Sequence, residues 1–116
     1  MMLSSLSLDH GTRPALEDFR MRILNRFGGR LRGLVLFGSR ARGDHRPDSD
    51  ADVAVFLEAV DDPVAVQMDI AEDSYAVFLS HELFIQPWVF RGTPEHPDRS
   101  RAAHLLDVVE AEGVKV

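Results

Sequence analysis

The sequence predicts an α/β (α+β) domain: a small mixed β-sheet of three main strands with helices packed on one side. Two short apolar runs, Leu31–Phe37 (LRGLVLF) and Ala51–Leu57 (ADVAVFL), are too short for helices and are bounded by turn-forming residues, as buried strands are. Between and around them, apolar residues recur at three- and four-residue spacing. At 116 residues the chain is long enough for one core without disulfide or metal staples.

The elements follow in order. Residues 1–13 read as a loose leader and 14–116 as a single domain. Thr12 is expected to cap the first helix, with Pro14 in its first turn. Leu16, Phe19, Ile23 and Phe27 form that helix's buried stripe, and Gly28-Gly29 stops it. After the 31–37 strand, Gly38–Asp50 is a Gly-, Arg- and Asp-rich connection with one helical turn near Ser39–Arg42. Asp61-Asp62-Pro63 caps the helix beyond the second strand, with Pro63 at its first position. Its inward stripe is expected to be Val64, Gln67, Met68, Ala71, Tyr75, Phe78 and Leu79, with Asp69, Glu72 and Asp73 facing out. A third strand is read over Leu83–Phe90, and Pro87 inside it indicates an edge or a bulge. The last helix buries Ala102, Leu105, Leu106 and Val109 and stops at Gly113.

Composition excludes several classes. Hydrophobic residues at 45% and charged residues at 28% exclude wholesale disorder. No run approaches the ~20 apolar residues of a membrane span, and no basic residue precedes the Leu/Ser stretch near Met1, so neither a membrane partner nor a secretory signal is expected. With no cysteine there is no disulfide framework and no thiolate chemistry, which fits a cytoplasmic setting. The net charge of −6 argues against nucleic acid as the main ligand. Charge is uneven, however: residues 1–46 sum to +5 and 47–116 to −11, a basic half for phosphate and an acidic half for metal.

One stretch carries chemistry: Phe37-Gly38-Ser39-Arg40-Ala41-Arg42-Gly43, then Ser49-Asp50-Ala51-Asp52. Gly38 permits an unusual turn at a strand end, and Ser39 offers a hydroxyl and an N–H at the start of a helical turn, where phosphate is well received. Arg40 and Arg42 add positive charge, and a guanidinium can fork onto phosphate oxygens. Asp50 and Asp52, two apart at a strand start, point to one face, and paired carboxylates suit Mg²⁺. A phosphate cradle facing paired carboxylates is the equipment of metal-assisted phosphoryl or nucleotidyl transfer.

This pattern resembles the signature of the DNA polymerase beta-like nucleotidyltransferase superfamily, and the small size resembles its minimal nucleotidyltransferases (MNT), commonly the antitoxin half of HEPN–MNT toxin–antitoxin pairs. The resemblance spans roughly residues 14–112. It implies the polymerase beta-like palm fold and transfer of a nucleoside monophosphate, AMP from ATP, to a hydroxyl of a HEPN toxin, with a tyrosine expected as acceptor. By the same resemblance Asp50 and Asp52 hold a two-metal Mg²⁺ site as the catalytic pair. Gly38, Ser39, Arg40, Arg42 and Gly43 bind the nucleotide. A second copy of the chain is the other partner considered. Two rival readings are a binding-only antitoxin and a stand-alone small-molecule nucleotidyltransferase of the aminoglycoside-modifying type.

The family usually carries a third carboxylate on the following strand, and none lies mid-strand here. By alternation Glu82, Phe84, Gln86 and Trp88 share a face, so Gln86 takes the equivalent place, and an amide cannot accept a proton. Glu82 substitutes only if the register is shifted. Catalysis is therefore expected to be weak or partner-dependent. Other features read more simply. Arg13, Arg20, Arg22, Arg26, Arg30 and Arg32 are expected on a solvated face, the five histidines lack metal-ligand spacing, and Phe84, Trp88 and Phe90 read as core or interface.

Overall fold

The computed structural model describes residues 11–116, so all of the expected leader before Gly11 lies outside the described residues. The first helix, α1 (Thr12–Phe27), is followed by a single 3₁₀ turn at Gly28–Arg30 and by strand β1 (Leu31–Phe37). Next come the short helix α2 (Ser39–Arg42), β2 (Ala51–Leu57), α3 (Pro63–His81), β3 (Ile85–Arg91), α4 (Ala103–Glu112) and β4 (Val114–Lys115). The sheet has four strands in the order β3-β2-β1-β4. β1 runs antiparallel to β2 and β4, and β2 runs parallel to β3, so the mixed sheet expected from the sequence is present.

Both strand runs are apolar at nearly every position because both sheet faces are covered. On one face, Leu16, Phe19, Ile23 and Phe27 of α1 and Ile70 and Val77 of α3 close over Leu34, Leu36, Val53, Val55 and Ile85. On the other, Leu106 and Val109 of α4 close over Val35, Phe37, Ala54, Phe56 and Phe90, with the Phe56 and Phe90 rings stacked at 5.5 Å. Helices therefore cover both faces rather than one. The apolar second face of the strands needs a cover, and the Leu106/Val109 stripe supplies it. The fourth strand also exceeds the expected three: after Gly113 the chain turns back, and Val114 pairs with Leu36.

Three local expectations change. Thr12 is the first helical residue rather than the cap; it is buried, and its hydroxyl accepts a bond from Arg40 Nη1 at 2.8 Å. Ala102 lies outside α4 and is exposed. Most consequentially, α3 is rotated relative to the expected stripe. Its buried residues are Ile70, Asp73, Ser74 and Val77, while Val64, Met68, Tyr75, Phe78 and Leu79 are exposed. Apolar spacing fixes the period of a helix but not which of two apolar faces goes inward. Here Arg26 decides: its Nε donates to Asp73 Oδ2 at 2.8 Å, which lets a carboxylate turn inward beside α1. The Asp62 cap holds as expected, its side chain accepting from the Ala65 N–H at 3.1 Å.

Candidate active site

The motif residues gather at one end of the sheet, where β1 finishes and β2 begins. Phe37 is the register partner of Asp52, so the turn that follows β1 passes beside that carboxylate. Gly38 has φ +80°, and a Cβ built on it would lie 2.7 Å from Asp52 Oδ2. Only glycine satisfies both conditions. The Gly38 carbonyl accepts from the N–H groups of Ala41 and Arg42, forming α2, and Gly43 ends it in the left-handed region with its N–H on the Ser39 carbonyl at 2.8 Å.

Asp52 is half-buried at the second position of β2, and Asp50 is exposed just ahead of the strand. Burial pushes the Asp52 carboxyl upward, opposed by the hydrogen bond from Trp88; the charge of Asp50 adds to the rise. Trp88 Nε1 donates to Asp52 Oδ1 at 3.1 Å and so fixes one oxygen of the carboxylate. Crowded carboxylates on a partly desolvated edge form a donor set that a hard cation relieves. Mg²⁺ fits it, because that ion keeps several waters and needs only one or two carboxylates plus phosphate oxygens. Among the described residues no three His, Cys, Asp or Glu side chains are arranged to hold a metal by themselves.

The two motif arginines part company. Arg42 is exposed at the site; its Nη1 lies 3.0 Å from both carboxylate oxygens of Glu112, and its Nε donates to Asp44 Oδ2 at 3.1 Å. Arg40 instead points inward and is buried. It donates to the carbonyls of Ser49 (2.8 Å) and Pro47 (3.1 Å) and to Thr12, clamping the 44–50 loop onto α1. Its expected nucleotide contact is not where the structure places its guanidinium.

On β3, Gln86 is the register partner of Asp52, as alternation indicated. Glu82 lies outside the strand, capping α3 with φ +55° and lining a cavity of about 310 Å³ with Arg40, His45 and Leu83. A larger cavity, about 550 Å³, opens at the far ends of β2 and β3 between Gln67, Arg91 and Arg101 and contains none of the motif residues. Two site residues escape a reading of the motif alone. Alternation puts Trp88 on the face of Gln86, but an indole in that pattern reads as core or interface and does not signal a donor to Asp52. Glu112 stands 74 positions from Gly38; its one sequence signal is an acid in the last turn of a helix, where the dipole disfavours it.

Comparison with known proteins decides the family. The nucleotidyltransferase domain model matches residues 17–87, more than half of the chain and all of the motif. The chain belongs to the nucleotidyltransferase domain family. A relative from Methanocaldococcus jannaschii, named for protein adenylyltransferase activity, is 26% identical over 101 residues, covering 87% of this chain and 94% of its own length. A second, similarly named protein of that organism is 37% identical over 41 residues, covering 35% of this chain and 41% of its own. Among solved structures, a chain of a toxin–antitoxin complex with AMP-PNP superposes with a TM-score of 0.61 at 21% identity, covering 85% of this chain and 70% of that one. A chain of the complex between a tri-AMPylated Shewanella oneidensis HEPN toxin and an MNT antitoxin gives 0.53 at 17% identity, covering 87% and 70%. At these identities the structures support the nucleotidyltransferase fold, which the four-stranded mixed sheet shares.

Proposed function

We propose that residues 14–116 act as one minimal nucleotidyltransferase domain that moves AMP from ATP to a hydroxyl of a HEPN-type toxin and thereby serves as its antitoxin. The observation that carries this reading is the Gly38 backbone packed against Asp52, which sets the Ser39–Arg42 turn beside the Asp50/Asp52 pair. In the proposed reaction Ser39, the backbone of the turn and Arg42 hold the β- and γ-phosphates, with Arg42 offsetting charge on the departing pyrophosphate. Asp50 and Asp52 would hold Mg²⁺, which when bound would polarise the phosphate and offset negative charge on its oxygens. Trp88 keeps Asp52 oriented. The acceptor oxygen attacks the α-phosphorus, the bond to pyrophosphate breaks, and the hydroxyl proton must leave.

That proton has no carboxylate on β3 to take it, because Gln86 stands beside Asp52. General-base assistance is worth ~10²–10⁴-fold, so transfer is expected to be slow unless the partner supplies a carboxylate to take the proton. The same observation favours binding-only neutralisation as the second reading. A partner also has a surface to meet: Val64, Met68, Tyr75 and Leu79 are exposed along one side of α3.

Calorimetry with ATP and Mg²⁺ tests the site. Binding by the wild type and its loss in Asp50→Ala/Asp52→Ala is the expected result; equal affinity in both overturns the assignment. A labelled-ATP transfer assay with the cognate toxin then separates the two readings. Gln86→Asp should raise transfer at least tenfold over wild type. Full neutralisation of the toxin without transferred label establishes the binding-only antitoxin.

A further inference from the structure

Glu112 ends α4, and its carboxylate rests on two donors of the phosphate turn. Oε1 accepts from the Gly38 N–H at 3.1 Å, and both oxygens lie 3.0 Å from Arg42 Nη1. The side chain is only 22% exposed, so the contact is partly shielded from water. A carboxylate and a phosphate make the same demand on such a group: two anionic oxygens, one guanidinium and one backbone N–H.

Glu112 stands where the end of a helix disfavours negative charge. It lies at the negative end of the α4 dipole, with Glu110 in the same turn and no basic residue there. Its charge also helps raise the carboxyl of Asp52 across the site. The Gly38 N–H and Arg42 therefore hold it in place against repulsion from two directions.

We propose that Glu112 is an internal competitor for the nucleotide, its carboxylate occupying the Gly38 N–H and Arg42 that a phosphate of the donor takes, so that nucleotide binds only as Glu112 swings away. This rests on the reading that the turn binds phosphate. It assigns the end of α4 a role in setting nucleotide affinity. The competition lies at the phosphates and leaves the base untouched.

The test is calorimetry of wild type, Glu112→Gln and Glu112→Ala with Mg²⁺ and one of three probes: ATP, inorganic triphosphate and adenosine. Competition requires both variants to bind ATP and triphosphate more tightly, about tenfold for Glu112→Gln, with adenosine unchanged. Glu112→Gln keeps the shape of the side chain, so it decides the matter even if Glu112→Ala fails to fold. Unchanged or weaker phosphate binding in Glu112→Gln, with the wild type binding normally, overturns the inference and leaves the phosphate turn intact; Glu112 would then serve only to orient Arg42. If no protein binds ATP or triphosphate, the phosphate reading falls and this inference falls with it.

Discussion

At Gly38 a single missing methyl group decides whether the site exists. The residue holds φ +80°, and the space where its Cβ would stand is filled by Asp52 Oδ2. Gly38→Ala should therefore cost about 1–3 kcal/mol of stability from backbone strain, read by urea unfolding. It should also abolish Mg²⁺-dependent ATP binding, because relief of the clash moves Asp52. Trp88→Phe keeps most of the packing but removes the donor to Asp52 Oδ1; it should weaken ATP binding several-fold while the unfolding midpoint shifts little. Arg40 and Arg42, two apart in one motif, show where a sequence reading runs out. The charge of each is legible, but only the path of the 44–50 loop and the hydroxyl of Thr12 reveal that one arginine is consumed as a clamp.

The informative element is α3. Its start was legible, because Asp62 and Pro63 act through local chemistry. Its facing was not, because the helix carries apolar residues on two sides and the choice is made by a residue 47 positions away. Asp73 is 10% exposed and Arg26 is 30% exposed, so the pair is neither fully buried nor freely solvated. Removing the cation strands a nearly buried carboxylate. Arg26→Ala should cost about 1–2 kcal/mol, and Asp73→Asn should recover part of that loss in the double variant, as a thermal-unfolding cycle would show. On the exposed side, Met68→Gln with Leu79→Gln should leave stability within about 0.5 kcal/mol, since neither side chain is in the core. The same pair should weaken toxin binding at least tenfold if this face meets the partner; urea unfolding reads the first half of that expectation and a pull-down titration the second.

For the whole molecule, the order of elements was legible from periodicity and punctuation, whereas the sheet's fourth strand and the second helical cover were not. Val114–Lys115 is too short to carry a pattern, and its pairing with β1 depends on where α4 sets the chain down. The loop between β3 and α4 is held by a Gly92–Pro97 bridge, by bonds between Thr93 and His96, and by the carboxylate of Asp98. This residue accepts from the Ser100 N–H at 3.0 Å and pairs with Arg91, and these bonds hold its carboxyl down to about 2. A carboxyl lowered on folding lends stability above its unfolded value of 3.8 and loses it as pH falls toward 2. Asp98→Asn should therefore unfold earlier in urea at neutral pH, and the gap to wild type should narrow between about pH 4 and pH 2. A constant gap across that window would show that the loop is held by something other than this charge.

The chain contains one tryptophan, and that tryptophan holds the carboxylate on which the proposed chemistry turns. The indole emission of the unlabelled protein therefore comes from this one edge of the sheet, half open to water and hydrogen-bonded to an anion. Any ligand that changes the charge or hydration of Asp52 changes the intensity and colour of that light. The proposed binding of Mg²⁺ and ATP can thus be tested by intrinsic fluorescence, with the change expected at the site itself and without a dye, a tag or a turnover.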